Sequence, residues 1–140
     1  LAAILKAGTY APSAMGKQPA VMVVVQDEAT RSQLSQMNAA ILGKPGTDPF
    51  YGAPTVVVVL SQGGCAVEDG SLVMGNLMNA AAAIGVGSCW MSAAQRMGYS
   101  DEIRRKFAPG KGEFVAAITL GYPDQAPKMP PRREGRCDFI

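Results

Sequence analysis

The chain has 140 residues, the size of one domain, and its composition of 48% hydrophobic and 17% charged residues favours a compact fold over a disordered one. Its formal net charge is +2, and no stretch concentrates enough Lys and Arg to form a nucleic-acid track, so we expect no DNA or RNA partner. The absence of histidine excludes a Ser-His-Asp triad, a Cys-His dyad and any His-ligated metal site. In an enzyme of this composition something else carries the chemistry, and a bound organic cofactor fits that requirement.

The first predicted elements are a helix end, a loop and a strand. Apolar residues make residues 1–6 the last turns of a helix that stops at Gly8. Because a domain rarely opens in the middle of a helix, we expect further residues upstream of Leu1. Two prolines and a glycine impose a loop over residues 9–19, and the β-branched run at residues 20–25 predicts a buried strand.

A second helix and a second strand follow. Residues 27–42 begin at Asp27, carry apolar side chains on one face and end where glycines and prolines impose a loop. Residues 54–60 form an apolar run that predicts a strand buried on both faces.

Residues 68–84 give the longest helical pattern in the chain. Acidic residues at the start complement the helix dipole, and Gly85 is placed to end the helix. After the first turn the helix is apolar nearly all round, which is typical of a helix buried in a domain centre or between subunits. No run approaches the roughly 20 apolar residues of a membrane span, and we expect no membrane segment.

The C-terminal third contains an extended segment at residues 86–91, a short helix at 100–107 and a strand at 113–120. Prolines then keep residues 122–140 extended as a C-terminal arm or a disordered end. The three cysteines form no CxxC pair, which indicates a reducing cytoplasm. Cys89 is read as a small core residue, since no histidine is present to activate its thiol.

Three segments offer groups for a ligand, and each also has an ordinary structural interpretation. Residues 11–19 present backbone amides and short polar side chains to a planar ligand, or form a simple turn with Gln18 bonded to nearby backbone. Residues 85–92 combine two glycines with the only tryptophan, either for close approach to a ligand or as a helix stop beside a core Trp90. Residues 128–136 carry guanidinium groups that bind phosphate or stay solvated.

The order of these segments resembles the small members of the nitroreductase family over essentially the whole chain. The motifs that carry the resemblance are Pro12-Ser13-Ala14-Met15-Gly16-Lys17-Gln18-Pro19, Gly52-Ala53-Pro54, Asp69-Gly70-Ser71 with Asn76-Leu77, Gly85-Val86-Gly87-Ser88-Cys89-Trp90, and Leu120-Gly121-Tyr122-Pro123. The ordered set is much more specific than any one motif.

The resemblance implies an α+β fold with a mixed central sheet flanked by helices, in an intertwined homodimer with one FMN in each of two interface clefts. By position in the motifs, the flavin ring and ribityl chain would meet Pro12, Ser13, Ala14, Met15 and Gln18 of one subunit. Trp90, Met91 and Ser92 would line the ring near N5, and Arg132 or Arg133 would meet the phosphate.

The resemblance also implies an activity, in which NADH or NADPH gives a hydride to flavin N5 and a nitroaromatic, quinone or similar small acceptor then takes the electrons in a ping-pong cycle. No side chain is assigned a catalytic role, and no metal is expected. Two alternatives stay open: another flavin reaction such as reductive dehalogenation or flavin breakdown, and a flavin-free dimer that acts as an interaction or regulatory module.

The sequence departs from the family pattern at three places. Gly16 stands where many members have Asn, and Ala20 where many have Trp, so the choice of substrate is not carried over. The family's arginine-rich start, which grips the FMN phosphate, is expected on the segment upstream of Leu1.

Overall fold

The fold consists of helices on a four-stranded sheet, within the residues that the computed structural model describes, 1–93, 105, 110, 112–125 and 128–136. In chain order the elements are α1 (Ala2–Thr9), β1 (Val21–Val25), α2 (Glu28–Ile41), β2 (Thr55–Ser61), α3 (Ala66–Ala83), β3 (Gly87–Met91) and β4 (Glu113–Gly121), with a 3-10 turn at Ala14–Gly16. The strands lie in the order β1-β2-β4-β3. The α+β class predicted from the sequence is confirmed.

The described strands pair only antiparallel, which corrects the expected mixed sheet for this part of the chain. The chain leaves β1 at Val25, runs through α2 and a loop, and re-enters the sheet at the same end, where Val25 pairs with Val56. Strand β2 therefore runs opposite to β1. It also runs opposite to β4 on its other side.

The sheet is packed on both faces, so β2 is buried along its whole length as predicted. Alternate side chains of a strand point to opposite faces. On one face Val56, Val58 and Leu60 pack with Leu34 of α2 and Phe50 of the following loop. On the other face the core joins the sheet to α1 and α3 through Ile4, Val57, Val59, Val73, Met74, Leu77 and Ile118.

Helix α1 does not stop at Gly8 as predicted but continues to Thr9. Gly8 is buried, and a Cβ at this position would lie 2.8 Å from Met22 Sδ and 2.9 Å from Leu77 Cδ2. The glycine is therefore a site of close packing between α1, β1 and α3 rather than a helix stop. By contrast, Gly85 does follow the end of α3, with the left-handed φ of +75° that this role requires.

Other helix limits follow the sequence closely. Asp27 caps α2, because its carboxylate accepts the Thr30 backbone N–H at 2.8 Å. Helix α3 begins at Ala66, ahead of the predicted residue 68. The helix predicted at 100–107 lies outside the described residues except for Arg105, which is helical. In the described part of the chain, no helix has the length and apolarity needed to cross a membrane.

Candidate functional site

The loop formed by residues 11–19 has an unusual backbone. Met15 and Gln18 adopt left-handed φ values of 53° and 51°, and Gly16 between them has φ 66°. A residue other than glycine in this region costs about 1–3 kcal/mol, and such strain concentrates at ligand-binding and active sites. The conformation must therefore be held by its surroundings.

Hydrogen bonds hold the 11–19 loop in this conformation. The Ala14 backbone N–H donates to Asp69 Oδ1 of α3 at 2.8 Å. The Gln18 backbone N–H donates to Ser13 Oγ at 2.8 Å, and the Gly16 N–H to the Ser13 carbonyl at 2.9 Å. The segment contains ordinary turn bonds, and the Gln18 backbone is bonded to a side chain rather than to neighbouring backbone.

The outer surface of the loop is open. Met15 is 83% exposed, and Pro12 and Gln18 are exposed as well, whereas Ser13 and Ala14 are half-buried. Behind the loop lies a cavity of about 160 Å³, between α1, β1 and α3. Its wall includes Ser13, Gln18, Ala20, Met22, Asp69 and Val73.

The second predicted segment lies at the end of β3. Trp90 is 37% exposed and Ser92 is exposed, but Met91 is 8% exposed and packs in the core. Little of the Met91 side chain is therefore left for a ligand, and its contribution would come from the backbone. Cys89 is half-buried against the same core, as expected for a small core residue.

The two predicted halves of the site belong to opposite edges of the sheet. The 11–19 loop leads into β1, and residues 90–92 end β3, with β2 and β4 between them. Neighbouring strands lie about 4.8 Å apart, so the two edge strands are separated by roughly 14 Å. The third predicted group, Arg132 and Arg133, is exposed in a segment that has neither helix nor strand.

A larger cavity, of about 590 Å³, lies away from this site between α2 and residues 45–53. Its charged groups are used to fix the surrounding loop. Burial alone would raise the pKa of Asp48, but hydrogen bonds from Ser35 Oγ and from the Gly52 and Phe50 backbone, with the nearby Arg31 charge, hold that pKa below its usual value. Arg31 in turn donates to the Ala53 carbonyl at 2.9 Å.

Two polar residues of α3 were not among the site residues predicted from the sequence. Asp69 bonds the 11–19 loop, and Asn76 Nδ2 donates to the Ala7 carbonyl of α1 at 3.0 Å. Both lie in the Asp69-Gly70-Ser71 and Asn76-Leu77 motifs, which were the only signal that marked them. Among the described residues, no three His, Cys, Asp or Glu side chains gather as a metal site.

The model of the nitroreductase family matches residues 1–122 of the chain. The chain belongs to the nitroreductase family. A comparison with curated proteins finds no match.

Solved nitroreductases share the fold over nearly the whole chain. A nitroreductase with bound FMN from Bacteroides fragilis NCTC 9343 superposes with a TM-score of 0.87 at 22% identity, over 99% of this chain and 85% of that one. An FMN-dependent nitroreductase from Clostridium difficile R20291 gives 0.79 at 27% identity, over 97% and 83%. An iodotyrosine deiodinase bound to FMN and 3-iodo-L-tyrosine gives 0.75 at 22% identity, over 99% and 85%.

Proposed function

We propose that the protein is an FMN-dependent oxidoreductase that takes electrons from NADH or NADPH and passes them to a small electron-poor acceptor. The observation that carries this proposal is the 11–19 loop, whose left-handed Met15 and Gln18 are pinned in place while its outer surface stays open. Membership in the nitroreductase family and FMN in similar solved proteins support the choice of flavin.

When bound, FMN supplies the redox chemistry, accepting a hydride from the nicotinamide and releasing electrons to the acceptor. The protein binds and orients it. Pro12, Ser13, Ala14, Met15 and Gln18 form the rigid surface for the ring and ribityl chain. Trp90, Met91 and Ser92 form a second wall, in which Met91 acts through its backbone. A preorganised wall of this kind loses little entropy on binding.

The separation of the two walls supports a cleft shared between two subunits. In one protomer they belong to opposite edges of the sheet. A homodimer would place the 11–19 loop of one subunit against residues 90–92 of its partner. The outer face of α3 is available for such an interface, because Leu72 is 46% exposed there.

The phosphate of FMN is assigned to Arg132 and Arg133. Both side chains are exposed, and a guanidinium group binds phosphate through paired charge-assisted hydrogen bonds. Replacing both residues with Ala should weaken FMN more than riboflavin, which lacks the phosphate. Equal weakening of the two ligands, measured by flavin fluorescence titration, would return these arginines to an ordinary solvated tail.

The acceptor is proposed to be a nitroaromatic or a quinone, in the cytoplasm, where the free thiols of Cys65 and Cys89 would stay reduced. Reductive dehalogenation is the competing reaction on the same fold, but the likeness to iodotyrosine deiodinase, at 22% identity, concerns the fold alone. A flavin-free interaction module is the competing non-enzymatic role.

Steady-state kinetics of the FMN-loaded protein test the proposal. Initial rates should be measured anaerobically with NADH and NADPH against a nitroaromatic, a quinone and a halogenated tyrosine. We expect parallel lines in double-reciprocal plots, which indicate a ping-pong cycle, with the nitroaromatic or quinone. Turnover of the halogenated tyrosine alone would establish the dehalogenase, and no turnover with any pair would contradict the proposed activity.

A further inference from the structure

We propose that Asp69 is the positioning residue of the flavin site, which fixes the 11–19 loop in its binding conformation through the Ala14 backbone. This inference rests on the proposed function. Asp69 was not among the residues predicted to touch the cofactor, and it acts here through the loop rather than on the flavin itself.

The geometry of Asp69 is that of a fixed tether. Its side chain is only 5% exposed, and it lies in the first turn of α3, the helix that packs across the sheet core. The carboxylate accepts the Ala14 N–H at 2.8 Å, across 55 residues of sequence. Hydrogen bonds from backbone N–H to a carboxylate are shorter and stronger than neutral ones. The bond therefore links the loop to a rigid element of the core.

The hydrogen bond to Asp69 meets the loop next to its residues with left-handed φ. Ala14 directly precedes Met15, the first of the residues with left-handed φ. The hydrogen bond from the Gln18 backbone N–H to Ser13 Oγ joins two residues of the loop and does not attach the loop to the core. Of the side-chain bonds described for this loop, only the one to Asp69 fixes its place relative to α3.

Gly70, the residue after Asp69, lies where α3 packs closely on the sheet. A Cβ on Gly70 would lie 2.5 Å from Val115 Cγ2, so α3 packs directly on β4 at this point. Asp69 also forms part of the wall of the 160 Å³ cavity behind the loop. Loss of the tether would leave the loop free to collapse into that space or to swing away from it.

The test compares three variants of the full chain. Asp69→Ala removes the acceptor, and Asp69→Asn keeps an oxygen that can accept the Ala14 N–H. Asn76→Ala is the matched control, because Asn76 also ties α3 to the N-terminal part of the chain, at Ala7 of α1, but does not touch the loop. For each variant we would measure the FMN dissociation constant, the thermal midpoint and the exchange rate of the Ala14 amide.

We expect Asp69→Ala to weaken FMN binding and to lower Ala14 protection by at least about tenfold, the factor that corresponds to losing one hydrogen bond to a charged group. Its thermal midpoint should fall no further than that of Asn76→Ala, which should keep wild-type affinity. Asp69→Asn should restore both properties to within about threefold. If Asp69→Ala does not fold, Asp69→Ser takes its place, since its hydroxyl is too short to reach Ala14.

Two results would overturn the positioning role: an Asp69→Ala variant that binds FMN as well as Asn76→Ala does, or unchanged protection of the Ala14 amide in Asp69→Ala. These results are distinct from failure of the proposed function. A wild-type chain that binds no FMN overturns the proposed function itself, whereas wild-type binding with an unaffected Asp69→Ala variant overturns only the role of Asp69.

Discussion

At the scale of single residues, a buried polar side chain without a hydrogen-bond partner lowers the stability of the fold. Asn38 of α2 is completely buried, and neither polar atom of its side chain has a hydrogen-bond partner in the described part of the chain. A buried polar group without a partner costs about 1–3 kcal/mol. Asp69 is the opposite case, because its buried carboxylate is used to hold the 11–19 loop.

We expect Asn38→Leu to raise the free energy of unfolding by about 1 kcal/mol, because leucine has the same branching but no polar group to desolvate. Urea denaturation at constant protein concentration measures this change. Gln36→Leu is the control, since Gln36 is exposed on the same helix and should change stability little. A loss of stability in Asn38→Leu would show that Asn38 has a partner in the assembled protein.

At the scale of elements, most helices and strands could be predicted from periodicity, while the close contacts between them could not. The valine run of β2 and the apolar face of α2 required no more than local patterns. Gly8 was misread as a stop, because the need for glycine comes from Met22 and Leu77, which are distant in sequence. The antiparallel pairing of the described strands could not be predicted for a related reason, since it depends on where the chain re-enters the sheet.

The candidate site, too, could be predicted only in part from the sequence. The sequence predicted that residues 11–19 form a loop before a strand, but the left-handed backbone and the bond to Asp69 depend on tertiary packing. The motif residues of α3 turn out to have structural roles: Asp69 ties the loop, Gly70 lets α3 approach β4, and Asn76 ties α1. Family resemblance could mark these positions, but only the fold shows what each one contacts.

The contact between Gly70 and Val115 provides a test at this scale. Gly70→Ala should lower the free energy of unfolding by about 1–3 kcal/mol, the usual cost of overpacking, although alanine favours helix. Val115→Ala alone should be destabilising by loss of buried volume. The double variant should lose less stability than the two single losses added together, because Val115→Ala removes the methyl groups at 2.5 and 2.9 Å from the new Cβ and leaves only the Val115 Cβ, at 2.9 Å, in close contact. Simple additivity of the two losses would show that α3 and β4 are not in direct contact there.

At the scale of the whole molecule, helix α3 is buried on one face and exposes apolar surface on the other. Its inner face packs on the sheet through Val73, Met74 and Leu77, whereas Leu72 on the outer face is 46% exposed. The sequence predicted a helix buried in the domain or between subunits, and the protomer buries only one side. A second subunit on the outer face would complete the burial and join the two walls of the proposed flavin cleft.

Leu72→Asp should convert the protein to a folded monomer, because a charge on the outer face of α3 would be buried at the subunit interface. Leu42→Asp is the matched control, as Leu42 at the end of α2 is 45% exposed and lies outside the proposed interface. Met78 is a poorer choice, since it packs against the core of the protomer itself. Sedimentation velocity distinguishes the cases, and a wild-type monomer at micromolar concentration would refute the dimer.

Titration of the flavin-free wild-type protein with FMN tests whether the 11–19 loop of one subunit and residues 90–92 of its partner bind the flavin. Flavin fluorescence gives the affinity, and sedimentation monitored at the flavin absorbance gives the mass of the species that carries it. We expect saturable binding at one FMN per chain, with a dissociation constant of about 1 μM or below, about −8 kcal/mol, on a species with the mass of a dimer. A protein that stays colourless and shows no saturable change with FMN would contradict flavin binding at this site.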